Sequence, residues 1–104
     1  MMTRALGLSV SLALCTTVLA QDFKVTAHTK VGGDGGWDYL TFYDGRLFIS
    51  RSNRVDVFDP ETGNVVASIS GLKGVHQAVF APKLGEGYTS NGGDSTVTVF
   101  GLKD

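Results

Sequence analysis

Leu40-Thr41-Phe42-Tyr43-Asp44-Gly45-Arg46-Leu47-Phe48-Ile49-Ser50 is the stretch on which the fold turns. Both arms are rich in aromatic and branched side chains, which suit a pleated, half-buried surface. Asp44-Gly45 between them is a strong hairpin signal, because Gly accepts the positive φ that a tight turn needs. Two strands are therefore expected, Tyr39–Tyr43 and Arg46–Ser50. A polar turn at Arg51–Asn53 leads to a third, Arg54–Asp59, with Val55 and Val57 on one face. Asp59-Pro60-Glu61-Thr62-Gly63 ends it: Pro60 presets φ, the Asp59 carboxylate can accept from the backbone ahead, and Gly63 takes the left-handed position. Asn64–Ile69 is the fourth strand. No helical apolar stripe interrupts the series.

The pattern then repeats. Leu40-Thr41-Phe42 lies over Ala78-Val79-Phe80, Gly45–Ser50 over Gly85–Ser90, and Arg54-Val55-Asp56-Val57-Phe58 over Thr96-Val97-Thr98-Val99-Phe100. The offset grows from 38 to 42 residues through two short insertions, both at expected turns, where hairpins tolerate them. Pro82-Lys83-Leu84-Gly85 and Asn91-Gly92-Gly93-Asp94 supply the turns of the second unit. A period near 40 residues with alternating segments suits a four-stranded blade rather than a helical repeat.

These features divide the chain. Residues 1–20 read as a leader, 21–36 as a leading strand (Lys24–Val31) with a Gly-rich loop, 37–74 as a first blade, and 75–104 as a second blade lacking its last strand. The expected fold is all-β: a β-propeller fragment of about two four-stranded antiparallel blades plus a leading, ring-closing type of strand, preceded by a signal-peptide helix. Repeat arrays need about three units before stacking offsets the ordering entropy, so the chain is expected to be an incomplete piece of a longer propeller, or to assemble with copies of itself or with a further propeller segment.

Leu47-Phe48-Ile49-Ser50-Arg51 and Gly87-Tyr88-Thr89-Ser90-Asn91, each followed by a turn and a Val-x-Val-Phe strand, resemble the YVTN-type repeats of bacterial β-propellers. Asp59-Pro60-Glu61-Thr62-Gly63-Asn64-Val65-Val66 is similar to the Asp-x-x-Thr-Gly turn and following strand of the same repeat. Tyr88-Thr89-Ser90-Asn91 matches the name motif loosely, and Arg51 stands at the Asn position of the first unit. The resemblance covers nearly all of residues 21–104. It implies architecture more than activity, since such propellers serve as enzymes, ligand binders and interaction platforms.

The amino terminus reads as an export signal. Arg4 gives a positive start, Ala5–Ala20 is apolar and small, and Val18-Leu19-Ala20 suits cleavage before Gln21-Asp22. That stretch is short for a bilayer span, which needs roughly 20 apolar residues. Lipidation at Cys15 would want a small residue before it, where Leu14 stands. Cleavage at Ala20 removes the chain's one cysteine, excluding disulfides and thiolate metal sites from the mature part. An exported protein, periplasmic or extracellular, is expected, with no membrane association after cleavage. Loss of Arg4 from nine Lys and Arg leaves eight against ten Asp and Glu, and no basic run exists to meet phosphates, so nucleic acid is not an expected partner.

Propeller ligands sit at the channel mouth, where the innermost strands begin. Here those entries are Trp37-Asp38 and, at the equivalent offset, Val75-His76. Trp37, Asp38 and His76 are the candidate ligand-binding residues. An Asp and a His converging there suit a metal or an acid–base pair. The plainer reading gives Asp38 a backbone partner in the Gly-rich approach, makes His76 a bridge between blades and leaves Trp37 to packing. Arg51 and Arg54 flank one turn and are candidates for gripping an anion at the rim, or are simply solvated.

Gly32–Gly36 lacks the following Lys, the helix and the third Gly of nucleotide-binding loops, and Asp34 alone makes no calcium loop. Asn91-Gly92-Gly93-Asp94-Ser95 is richer in oxygens but reads as a turn. His28 falls in the leading strand, where exposure or packing accounts for it. No Gly-x-Ser-x-Gly elbow supports nucleophilic catalysis.

The expected function is a non-enzymatic scaffold of the cell envelope, binding a protein or small ligand and needing no cofactor. The alternatives are a fragment of a metal-dependent, lactonase-like propeller hydrolase using Asp38 and His76, or a remnant of a longer gene without function.

Overall fold

The computed structural model describes residues 21–103, so the leader expected over residues 1–20 lies outside the described residues. The rest is all-β. Six antiparallel strands form one sheet in sequence order: β1 (Leu40–Tyr43), β2 (Arg46–Ser50), β3 (Ser52–Asp59), β4 (Asn64–Ala81), β5 (Glu86–Asn91) and β6 (Thr96–Gly101). Each strand pairs with the next along the chain, the local topology that short turns impose.

The turns form for the reasons their residues suggest. Asp44 and Gly45 both take positive φ, 47° and 74°, and set Tyr43 opposite Arg46 and Thr41 opposite Phe48. At the β3–β4 turn the Glu61 amide donates to Asp59 Oδ1 at 2.9 Å and the Gly63 amide to the Asp59 carbonyl at 2.9 Å. Pro82–Leu84 tightens into one 3-10 turn closed by Gly85.

Two elements depart from expectation. The fourth strand of the first unit and the first strand of the second are one continuous strand, β4, of 18 residues. Its first half pairs with β3 and its second half with β5. The register breaks between Ser70 and Val75, where Gly71 and Gly74 take φ of 77° and 59°. These two glycines turn the strand without ending it. Leu72 between them is 5% exposed and drops into the core. Lys24–Val31, expected as a strand, runs unpaired with either sheet edge. Its alternation (Phe23, Val25 and Val31 against Lys24 and Lys30) has no neighbouring backbone to bond, and Phe23 is 93% exposed.

The bend in β4 curls the sheet into a half-barrel. β1 comes to lie beside the second half of β4, although two strands separate them in the sheet. Thr41 Oγ1 donates to the Ala78 carbonyl at 3.0 Å, and the Tyr39 amide to the His76 carbonyl at 3.2 Å. The core forms inside the curl from Val55, Leu72, Val75 and Ala78, with Phe48, Ile69, Phe80 and Phe100 packed around them. Phe80 is its hub. It stacks on Tyr43 at 4.2 Å and meets Phe48 and Phe100 edge-on at 4.6 and 6.0 Å. Such pairs add to the burial of area itself.

Candidate functional site

The site sits where β1 and the second half of β4 begin. The Asp38 amide donates to the Ser50 carbonyl at 3.0 Å, carrying the β1–β2 pairing one step beyond Leu40. His76 lies in the irregular opening of the β4–β5 ladder, between the paired residues Val75 and Gln77. The curl of the sheet then brings the two side chains together. His76 Nδ1 stands 2.7 Å from Asp38 Oδ2, and the side chains are 56% and 40% exposed. With Nδ1–H donating to the carboxylate, Nε2 is the acceptor nitrogen of the neutral ring.

Backbone supports that ring from the far side. The β5–β6 turn is tied to the bend of β4 by the Gly92 amide on the Gly74 carbonyl at 2.8 Å and the Gly93 amide on the Lys73 carbonyl at 2.9 Å. A Cβ at Gly92 would stand 2.6 Å from His76 Nε2, so only glycine lets the imidazole lie against this turn. Gly92 therefore belongs with the site. The sequence marks it only as part of the Asn91-Gly92-Gly93-Asp94 turn and not as a site residue.

Trp37 is elsewhere. It is 80% exposed and lines an open groove of about 440 Å³ with Val31, Leu40, Leu47 and Ile49, a groove that includes neither Asp38 nor His76.

Arg51 and Arg54 have protein partners. Arg51 donates to the carbonyls of Gly32, Gly33, Asp34 and Gly35 at 3.0–3.3 Å. Arg54 donates to the Asp34 carbonyl at 2.8 Å. Positive φ at Gly32, Gly33 and Gly35 lets successive peptide oxygens converge on one guanidinium. Asp56, 4% exposed, completes the cluster. Its carboxylate takes Arg54 Nε at 2.9 Å, lies 3.6 Å from Arg51 Nη1 and accepts from Ser68 Oγ. Buried charges are tolerated only when paired and hydrogen-bonded in this way. The cluster fastens the Gly-rich loop to β3, and its donors toward the rim are engaged by that loop.

The second unit carries a neutral counterpart. Asn91, equivalent to Arg51, is 3% exposed and donates to Thr96 Oγ1 and Thr98 Oγ1 at 3.1 and 2.9 Å. Thr96 and Thr98 stand where Arg54 and Asp56 do.

A second groove, of about 380 Å³, opens inside the curl between Tyr43, Arg46, Phe48, Ile69 and Phe100. Among the described residues, no group of three or more His, Cys, Asp or Glu side chains gathers in a metal-binding arrangement. No family model, curated protein or solved structure matches the chain, so the case for the site rests on its geometry.

Proposed function

We propose that the chain is a two-blade section of an exported β-propeller of the YVTN-repeat type, acting as a non-enzymatic scaffold that binds a small ligand or protein at its channel mouth. One observation carries this reading: Asp38 and His76, at the same position of two repeat units, meet at 2.7 Å with both side chains still open to solvent. A pair made only for packing gains from burial. A pair held at the entry of two inner strands, with the imidazole Nε2 and a carboxylate oxygen left over, offers two acceptors to a ligand that carries hydrogen-bond donors. The curl of the sheet supports the blade reading, because it sets the first strand of each unit side by side.

Ligand screening by thermal shift tests the proposal, since a ligand that binds only the folded state raises its stability. The expected result is a polar compound that stabilises the chain but not Asp38→Ala or His76→Ala. A panel whose hits stabilise both variants as well as the parent would sink the mouth as the site. Export is checked separately, by a mature amino terminus at Gln21 in the periplasm or medium.

A further inference from the structure

Each unit has a front and a back, and the structure contains one front-to-back joint. Thr41, Tyr43, Phe48 and Val55 form the front of the first unit. They pack on the back of the second, formed by Ala78, Phe80 and Phe100. The repeat maps each surface onto another that is open over part of its residues. Thr41, Phe48, Val55 and Val57 correspond to Val79, Tyr88, Val97 and Val99 on the front of the second unit. Val79, Val97 and Val99 are 49%, 65% and 55% exposed. Ala78, Phe80 and Phe100 correspond to Leu40, Phe42 and Phe58 on the back of the first unit, where Leu40 and Phe42 are 54% and 66% exposed and Phe58 is buried at 6%.

Strand pairing fixes the shared faces. Val79 stands opposite Tyr88, and Tyr88 opposite Val99; Phe42 stands opposite Leu47, and Leu47 opposite Phe58. Each face is therefore one row of apolar side chains, exposed at Val79, Val97 and Val99 on the front and at Leu40 and Phe42 on the back, and exposed apolar patches mark interaction sites.

We infer that the front of the second unit docks on the back of the first unit of another copy, repeating between chains the joint seen within one. The occupant is a second copy because the front surface is a repeat of one already shown to fit this type of back. The two surfaces differ, so the contact is heterologous: it propagates head to tail and ends only if the ring closes. The inference rests on reading the two units as successive blades. It does not need the Asp38–His76 mouth to bind anything; its test reads mass and the mouth's test reads ligand, so the two fail separately.

The test uses Val99→Lys, which spoils the front, and Phe42→Asp, which spoils the back. Both positions are exposed, and circular dichroism checks that each variant keeps its strands. Sedimentation of the parent at tens of micromolar is expected to give multiples of the chain mass, and each variant alone a monomer. A mixture of the variants restores one intact joint, so it is expected to give a 1:1 dimer and nothing larger. A monomeric parent overturns the inference and leaves both faces to a partner of different sequence. Dimers of either variant alone also overturn it, since they mean a front-to-front or back-to-back contact.

Discussion

Asp38 and His76 stand 38 residues apart at the same position of two repeat units, and their side chains meet at 2.7 Å. The contact ties the beginning of β1 to the beginning of the second unit, beside the Tyr39–His76 backbone bond. Its exposure separates its contribution to stability from its contribution to chemistry.

Exposed ion pairs contribute about 0.2–1 kcal/mol. Asp38→Asn is therefore expected to lower unfolding stability by less than about 1 kcal/mol, measured by urea denaturation. Asp56→Ala is expected to cost about 3–5 kcal/mol, because it leaves the buried Arg51 and the half-buried Arg54 without their carboxylate. A larger loss at Asp38 than at Asp56 would reverse the assignment of Asp38 to the surface and of Asp56 to the frame.

Gly87 lies under Phe100. A Cβ there would run into the Phe100 ring, which stands edge-on to Phe80. Gly87→Ala is expected to push Phe100 off Phe80 and destabilise the chain by about 1–3 kcal/mol, the usual result of overfilling a packed core. Gly87→Ala combined with Phe100→Leu is expected to recover part of that loss. The double mutant tests whether the ring, rather than the backbone at Gly87, is responsible.

Leu72 tests the bend of β4. It is 5% exposed and shares the core with Val55, Val75 and Ala78. Leu72→Ala is expected to cost about 2–5 kcal/mol by thermal or urea unfolding. A loss well below 1 kcal/mol would mean that the Gly71–Gly74 segment hangs free of the core instead of pinning the two units together.

Strand and turn positions were legible because short antiparallel strands write themselves in period two and their turns in Asp, Pro and Gly. Asp44-Gly45 and Asp59–Gly63 turn as their residues require. The equal offset of Asp38 and His76 pointed to their meeting, which the curl of the sheet then provides. The continuity of β4 was not legible, since Gly71 and Gly74 resemble a strand end and only pairing with β3 and β5 shows otherwise. Arg51 was opaque for a different reason. Its acceptors are backbone carbonyls 16 to 19 residues earlier, and carbonyls leave no mark in a side-chain pattern. Asp56 was hidden as the polar member of an alternating strand, where a solvent-facing side chain is the ordinary expectation.

Tyr88 gives a prediction in pH. Its hydroxyl donates to Glu86, two residues back on the same face of β5. That hydrogen bond holds the phenol proton and raises the pKa above 10.0, with smaller contributions from desolvation and from the Glu86 charge. A raised pKa in the folded state favours folding while the phenol keeps its proton. The contribution is complete below the unfolded value near 10 and is lost as pH climbs through the higher folded value. Spectrophotometric titration at alkaline pH, read as the difference between the parent and Tyr88→Phe, is expected to isolate a phenol ionising above 10. Glu86→Ala removes both the acceptor and the charge, so it is expected to bring that midpoint down. Glu86→Gln keeps an acceptor without the charge and is expected to fall between the two. An unmoved midpoint in Glu86→Ala would mean that the carboxylate does not hold the phenol in solution.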